Sequence, residues 1–172
     1  MSVLAKNTAE ISWLNGRYFL DTNIIVYSFD HTSAKKQNIA QKLIEVALQS
    51  NKGCISFQVV QECLNVSTRK FSTPLSVPDA KQYLQHVLDP LCEVYPSIEL
   101  YSHALDISAR WQYSFYDSLI IGSALTAECS ILYTEDLQHK QEIQGMTILN
   151  PFEKMSWNPI SLYFKMKCYQ IS

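Results

Sequence analysis

Arg17-Tyr18-Phe19-Leu20-Asp21-Thr22-Asn23 is the stretch on which the fold turns. The first four residues read as a short strand, which three polar residues stop at once. Its apolar positions are consecutive rather than alternating, as expected where both faces of a sheet are covered. The same grammar recurs outward along the chain. Cys54-Ile55-Ser56, Leu91 to Val94, Ile131-Leu132-Tyr133 and Met146 to Leu149 read as further short strands. Between them lie longer helical patterns. Ala34 to Gln49 repeats Ile39, Leu43, Ile44, Ala47 and Leu48 on one face, and Gly53 breaks it. Phe57 to Arg69, Pro78 to Leu88, Ile98 to Trp111 and Phe115 to Glu128 are the other helices. Pro78 suits a first helical turn and Ser97 suits a cap.

Strands alternating with helices imply parallel pairing through right-handed crossovers. The expected fold class is therefore α/β: a three-layer α/β/α sandwich on a central, mainly parallel sheet of four to five short strands. In such sheets the ligand site lies beyond the carboxyl ends of the strands. One domain over residues 17–152 is expected, with a short extension at 1–16 and a second at 153–172. The latter alternates Leu162, Phe164, Met166 and Cys168 with Tyr163, Lys165, Lys167 and Tyr169, the period of an edge strand or a partner-binding arm; a loosely ordered, flexible tail is the alternative.

Composition narrows the function. The chain has 172 residues, 47% hydrophobic and 17% charged, which suits one globular domain with a sizeable core. No apolar run is long enough to cross a bilayer, and MSVLAKNTAE lacks the apolar stretch of a secretory signal, so a cytoplasmic protein without membrane attachment is expected. The five cysteines are scattered, with no C-x-x-C pair and no His at zinc-ligand spacing, so they read as reduced apolar residues. The formal charge of -2 excludes a protein that coats itself on nucleic acid, and directs attention to the acids.

Four acids fall where the strand rule places a site. Asp21 directly follows the first strand, Glu62 lies in the helix after the second, Asp117 opens a helix, and Asp136 follows the fourth strand by three residues. Each has a structural reading too. Asp21 could cap a helix starting at Thr22, Asp117 with Ser114 resembles a capping box, and Asp136 could be a turn residue. Glu62 stands among Val59, Val60, Cys63 and Leu64, where a charge needs a partner. Four carboxylates converging on one edge repel one another unless a cation compensates, and all-oxygen ligands suit Mg2+ or Mn2+. Such an ion can activate water and stabilise charge on a phosphate during in-line displacement. There is no Gly-rich phosphate loop and no H-E-x-x-H pattern.

These residues resemble a family. Phe19 to Ile24 is similar to the opening strand and first acid of PIN-domain nucleases. Ile55 to Glu62 resembles the segment of the second acid, Phe115 to Ile120 that of the third, and Leu132 to His139 that of the fourth. Asn150-Pro151-Phe152 resembles the usual ending, and the likeness is nearest to the VapC-type toxins of bacterial toxin–antitoxin pairs. The resemblance implies Mg2+- or Mn2+-dependent cleavage of RNA, a homodimer and a cognate antitoxin. It carries over Asp21, Glu62, Asp117 and Asp136 as metal ligands or their organisers, with Thr22 and Asn23 in support. Lys140 stands where many relatives have Gly, and residues 153–172 run past the usual end. Arg69 and Lys70, at the end of the Glu62 helix, and His139 are candidate RNA contacts; helix-dipole compensation and a surface-loop histidine are the alternatives. Lys35, Lys36 and Arg110 are further basic residues suited to phosphate, and Glu135 a further acid. Tyr83, Leu84, Val87 and Leu88 are the expected dimer surface, or else core. The competing functions are a catalytically silent PIN-like binding module and a metal-dependent phosphatase or DNA nuclease of similar topology. Phosphoaspartate phosphatases usually carry an acid two residues after the first, where this chain has Asn23.

Overall fold

The computed structural model describes residues 16–69 and 73–153. Lys70 and the segment expected to form an edge strand or arm lie outside them. The described chain runs β1 (Tyr18–Leu20), α1 (Thr22–Tyr27), α2 (Ala34–Ser50), β2 (Gly53–Ser56), α3 (Phe57–Arg69), α4 (Val77–Tyr83), a π-helical turn (Leu84–Leu88), α5 (Asp89–Leu91), β3 (Cys92–Val94), α6 (Ile98–Trp111), α7 (Phe115–Thr126), β4 (Ile131–Tyr133), β5 (Glu142–Ile143) and β6 (Met146–Leu149). Helices flank a mostly parallel sheet, giving the three-layer α/β/α sandwich. The sheet has six strands in the order β3-β2-β1-β4-β6-β5, one more than the sequence pattern suggested.

The additional strand is β5, which pairs antiparallel with β6 through Ile143 and Met146. Gln144 and Gly145, with φ of 50° and 86°, close this hairpin; a two-residue turn with both φ positive matches the twist of its strands. All other pairings are parallel. β1 is the central strand, with Phe19 opposite Cys54 of β2 on one side and Leu132 of β4 on the other. Phe19 and Leu20 are completely buried, which accounts for the unbroken apolar run. The chain builds outward from β1 to β2 and β3, then crosses to β4 on the other side. That reversal opens a crevice at the carboxyl ends of β1 and β4, the topological switch point where such sheets bind ligands.

Local chemistry explains the helices. On α2, Ala40, Leu43, Ile44, Val46 and Ala47 are buried, the face its apolar period predicts. Ser97 caps α6 by accepting from the Leu100 amide at 3.1 Å. α7 is buried over every residue from Ser118 to Ala124, so only its two ends reach the surface. The helix expected from Pro78 to Leu88 continues, through the π-helical turn, to Leu91. Of the four residues expected at a dimer surface, this turn removes only Leu88. Leu88 is fully buried, Tyr83 packs edge-on against Phe29 with centroids 4.4 Å apart, and Leu84 and Val87 lie against the core. Leu88 belongs to the core, while Tyr83, Leu84 and Val87 are half-buried at its edge. Among the described residues, no helix is long and apolar enough to cross a membrane.

β2 starts at a tight approach. A Cβ on Gly53 would fall 2.4 Å from the Ala47 Cβ and 2.7 Å from the Tyr18 ring. Gly53→Ala must therefore push α2 away from β1, and overpacking of this kind costs about 1–3 kcal/mol. Chemical denaturation should show that loss, with the midpoint falling and the slope unchanged.

Candidate active site

The switch-point crevice is built by the residues that end β1 and β4. Asp21, the first residue after β1, caps α1: its Oδ1 accepts from the Thr22 amide at 2.6 Å. Its Oδ2 accepts from the Thr134 hydroxyl at 2.7 Å and from the Asn23 side-chain amide at 3.2 Å. Thr134, the first residue after β4, is completely buried, and its Oγ1 also accepts from the Asp136 amide at 3.1 Å. Asn23 ties the two loops together, since its Nδ2 also lies 2.9 Å from Asp136 Oδ2 and 3.1 Å from Thr134 Oγ1. Glu62 joins from α3. Its Oε2 accepts from the Thr22 hydroxyl at 2.6 Å, and its Oε1 from Gln58 Nε2 at 2.8 Å.

One network thus holds Asp21, Glu62 and Asp136 through Thr22, Asn23 and Thr134. Asp117 stands apart from it. It occupies the first turn of α7, where its Oδ2 accepts from Ser114 Oγ at 2.7 Å and its amide donates to the same hydroxyl at 3.2 Å. The Ser114 hydroxyl thus caps α7 at the S-x-x-D spacing, but the Asp117 carboxylate returns to that hydroxyl rather than to the Ser114 amide, so the box is not reciprocal. Among the described residues, no set of three or more His, Cys, Asp or Glu side chains is already arranged to grip a metal ion.

The electrostatics of Asp21 are unusual. Its carboxyl is pushed up from 3.8 to about 6, first by burial and further by the charges of Asp136 and Glu62, against the hydrogen bonds from Thr134 and Thr22. Among the described residues, none of Asp21, Glu62, Asp117 and Asp136 forms a salt bridge. Asn23 Oδ1 is buried beside them without a hydrogen-bond donor. A buried carboxylate, two more carboxylates and an orphaned carbonyl oxygen form an all-oxygen set short of positive charge. Mg2+ or Mn2+ fits that donor chemistry.

Other candidates have different roles. Glu135 faces inward rather than toward solvent: Lys36 Nζ lies 2.6 Å from its Oε2, and Tyr27 donates to its other oxygen. Lys36 also lies over the rings of Tyr27 and Phe152, at 4.3 and 5.1 Å from their centroids. It is therefore held in a structural cluster rather than left open for phosphate. His139 is mostly buried, and its Nδ1 accepts from the Asn150 amide at 2.9 Å, which leaves the ring proton on Nε2. The imidazole braces the loop after β4 against the end of β6 through Nδ1, while Nε2 remains free to donate. Arg69 is exposed at the end of α3, seven residues beyond Glu62, or roughly 10 Å along the helix. Lys140 has φ of 65°, which explains why glycine suits that position. Thr134 was missed in the sequence; its signal was a polar residue directly after a fully buried strand.

The chain belongs to the PIN-domain family, whose model, described as PIN domain, matches residues 18–141. A comparison with curated proteins gives no match. Solved structures with the same fold include a toxin–antitoxin complex from Klebsiella pneumoniae, 16% identical with a TM-score of 0.57 over 80% of this chain and 99% of that one. VapC20 of Mycobacterium tuberculosis, a sarcin–ricin loop cleaving toxin, is 18% identical with a TM-score of 0.51 over 69% and 91% of the two chains. VapBC2 of Rickettsia felis, bound to a DNA fragment from its promoter, gives 19% and 0.51 over 76% and 96%. At these identities the likeness establishes the fold.

Two outcomes test this geometry. Thr134→Val removes a donor to a buried carboxylate, so it should cost about 1.5–3 kcal/mol at neutral pH and raise the Asp21 carboxyl above its present value, as read by carbon-13 NMR titration. In chelator, Asp21→Asn should remove a pH-dependent penalty. The folded carboxyl titrates near 6 and an exposed one near 3.8, so stability present below 3.8 is lost as pH rises through 6. The variant's Tm minus that of the wild type should grow across that window and level off above it. A flat difference would contradict the shifted titration.

Proposed function

We propose that this chain is a metal-dependent endoribonuclease and the toxin of a type II toxin–antitoxin pair. The observation that carries the reading is the buried Asp21 carboxylate at the switch point, flanked by Glu62 and Asp136 and lacking any cationic partner among the described residues. A group pushed up to about 6 by burial and like charges is poised to gain from a cation. Asp21, Glu62 and Asp136 would hold Mg2+ or Mn2+, with Asp117 completing the acidic rim from α7. The bound ion would lower the pKa of a water and offset charge on the phosphate during in-line hydrolysis.

The protein's own part is positioning. Thr134, the Thr22 amide and Asn23 fix both oxygens of Asp21. The Thr22 hydroxyl and Gln58 fix Glu62, and Asn23 fixes Asp136. Both oxygens of Asp21 and Glu62 and one of Asp136 are thus oriented before a ligand arrives, which reduces the reorganisation needed for catalysis. The polar Thr22-Asn23 pair does not itself act on substrate. Arg69, with Lys70 after it, would offer positive charge to the RNA backbone at the far end of α3.

The choice of RNA over DNA rests on the toxin relatives, one of which is a sarcin–ricin loop cleaving toxin. A protein antitoxin is inferred from relatives solved as toxin–antitoxin complexes. A homodimer is part of the same proposal, and the exposed Ile98 and Leu105 of α6 offer it an apolar surface in place of the buried Leu88. A phosphoaspartate phosphatase reading is disfavoured because Asn23, not a carboxylate, donates to the first acid.

Asp21→Asn should lower Mg2+-dependent RNA cleavage by about a hundredfold or more, since even residues behind metal ligands commonly carry ten- to hundredfold effects. Added Mg2+ should raise the Tm of the wild type by mass action and leave that of the variant nearly unchanged. A purified, folded variant that cleaves at the wild-type rate would sink the assignment.

A further inference from the structure

Beside the acidic network lies a cavity of about 310 Å³ that it does not use. The aromatic side chains of Phe57, Tyr101, Phe115 and Tyr116 line it, together with Ser56, Gln58 and Ser123. All four aromatic residues are at least 37% exposed, an uncommon concentration of open rings around one concavity. Tyr101 meets Phe115 and Phe115 meets Tyr116 in T-shaped contacts, and Phe57 leans on Tyr95 at 6.1 Å, so no two rings of the four are stacked face to face. Deeper in, Ser56 and Ser123 are 2% and 0% exposed, and neither hydroxyl has a hydrogen-bond partner. Gln58 Oε1 is also buried and unpartnered. Leaving three such atoms unsatisfied is costly, and a purely apolar occupant would leave them so.

The cavity joins the acidic edge at two places. Gln58 lines it with one end of its amide and donates to Glu62 with the other, at 2.8 Å. Tyr116 lines it and immediately precedes Asp117. α3 and α7 therefore each present a cavity wall and an acid within a turn or two. A ligand with a flat π face, a polar edge of donors and acceptors and a phosphate attached at one side matches all of these features. We infer that the cavity binds one unpaired nucleobase of an RNA substrate, adjacent to the phosphate held at the carboxylates. This rests on the ribonuclease reading and adds to it a substrate class: RNA whose base can leave the stack at the cut site. Phe57 and Tyr116 supply stacking, while Ser56, Ser123 and Gln58 Oε1 meet the polar edge and select among bases.

The test uses the full chain in chelator and hexaribonucleotides carrying one internal 2-aminopurine between randomised flanks. Stacking quenches that fluorophore, so binding and base insertion are read together without catalysis. The wild type should bind with quenching. Phe57→Leu and Tyr116→Leu keep apolar bulk but remove a π face; each should weaken binding roughly fivefold to a hundredfold and relieve the quenching. Ser56→Ala deletes a hydroxyl that has no partner in the protein. A merely structural serine predicts equal or greater stability with unchanged binding, whereas a base contact predicts weaker binding at undiminished Tm. Wild-type affinity and quenching in all three variants overturn the proposal, and a change in molecular mass by light scattering would then assign the aromatic rim to contact between protein copies. Cleavage of a longer RNA in Mg2+ is followed in parallel. Cleavage without cavity-dependent binding removes the base pocket and leaves the ribonuclease reading. Cavity-dependent binding without cleavage upholds the pocket and overturns the ribonuclease reading instead.

Discussion

The hydrogen bond from Thr134 to Asp21 spans the one place where neighbouring strands leave the sheet in diverging directions. β1 and β4 pair through to Leu20 and Tyr133, and the next residue of each strand is a partner in that bond. The carboxylate it serves is buried and near two others, so its ionised form is unfavourable. The β1–β4 register therefore does more than close the sheet. It decides whether a hydroxyl stands 2.7 Å from that oxygen, and hence how readily the site carries charge. A slip of one residue would turn both side chains to the opposite face.

Capping and site-building are usually weighed as rival explanations for an acid at a helix start; in this protein they are one device. Asp21 caps α1 with one oxygen and faces Thr134 and Asn23 with the other. Asp117 differs: its carboxylate accepts from the Ser114 hydroxyl that caps α7, in the first turn of that helix. At Asp21 the Thr22 amide, which must be satisfied at the helix start, fixes the carboxylate's rotamer. The cap thus pre-orients a ligand oxygen without any further side chain. Glu62 has no cap and needs two side chains, Thr22 and Gln58, to achieve the same.

What the sequence made legible was the part governed by period and strand ends. Runs such as Phe19-Leu20 and Ile131-Leu132-Tyr133 are short, apolar and bounded by polar residues, as buried parallel strands are, and the acids after them mark the site edge. What it hid was the part governed by short range or by competing burial. α1 is only six residues long, too short for a helical period to appear. β5 has two residues, and its turn uses Gln144 with positive φ, where Asn would have been the usual signal. Leu84, Val87 and Leu88 carry the same period whether they face a partner or the core, and the π-helical turn that directs Leu88 inward has no sequence mark. Lys36 and Glu135 are 99 positions apart, so their pairing was invisible before the fold was known.

The arrangement also shows why such a site is built beside a strand in the interior of the sheet. An unpaired, partly repelling carboxylate cluster weakens the domain in the absence of a cation, and the stability it forgoes has to be recovered elsewhere. β1 is paired on both sides and buried along its length, so it opens only with the whole sheet. Placing Asp21 directly after it confines the electrostatic tension to a point that cannot relax by local fraying. On the mobile loops of an edge strand the same three acids would drift apart and lose the tension, and with it the readiness to take a cation. The free energy withheld by β1 is thus what keeps the carboxylates together.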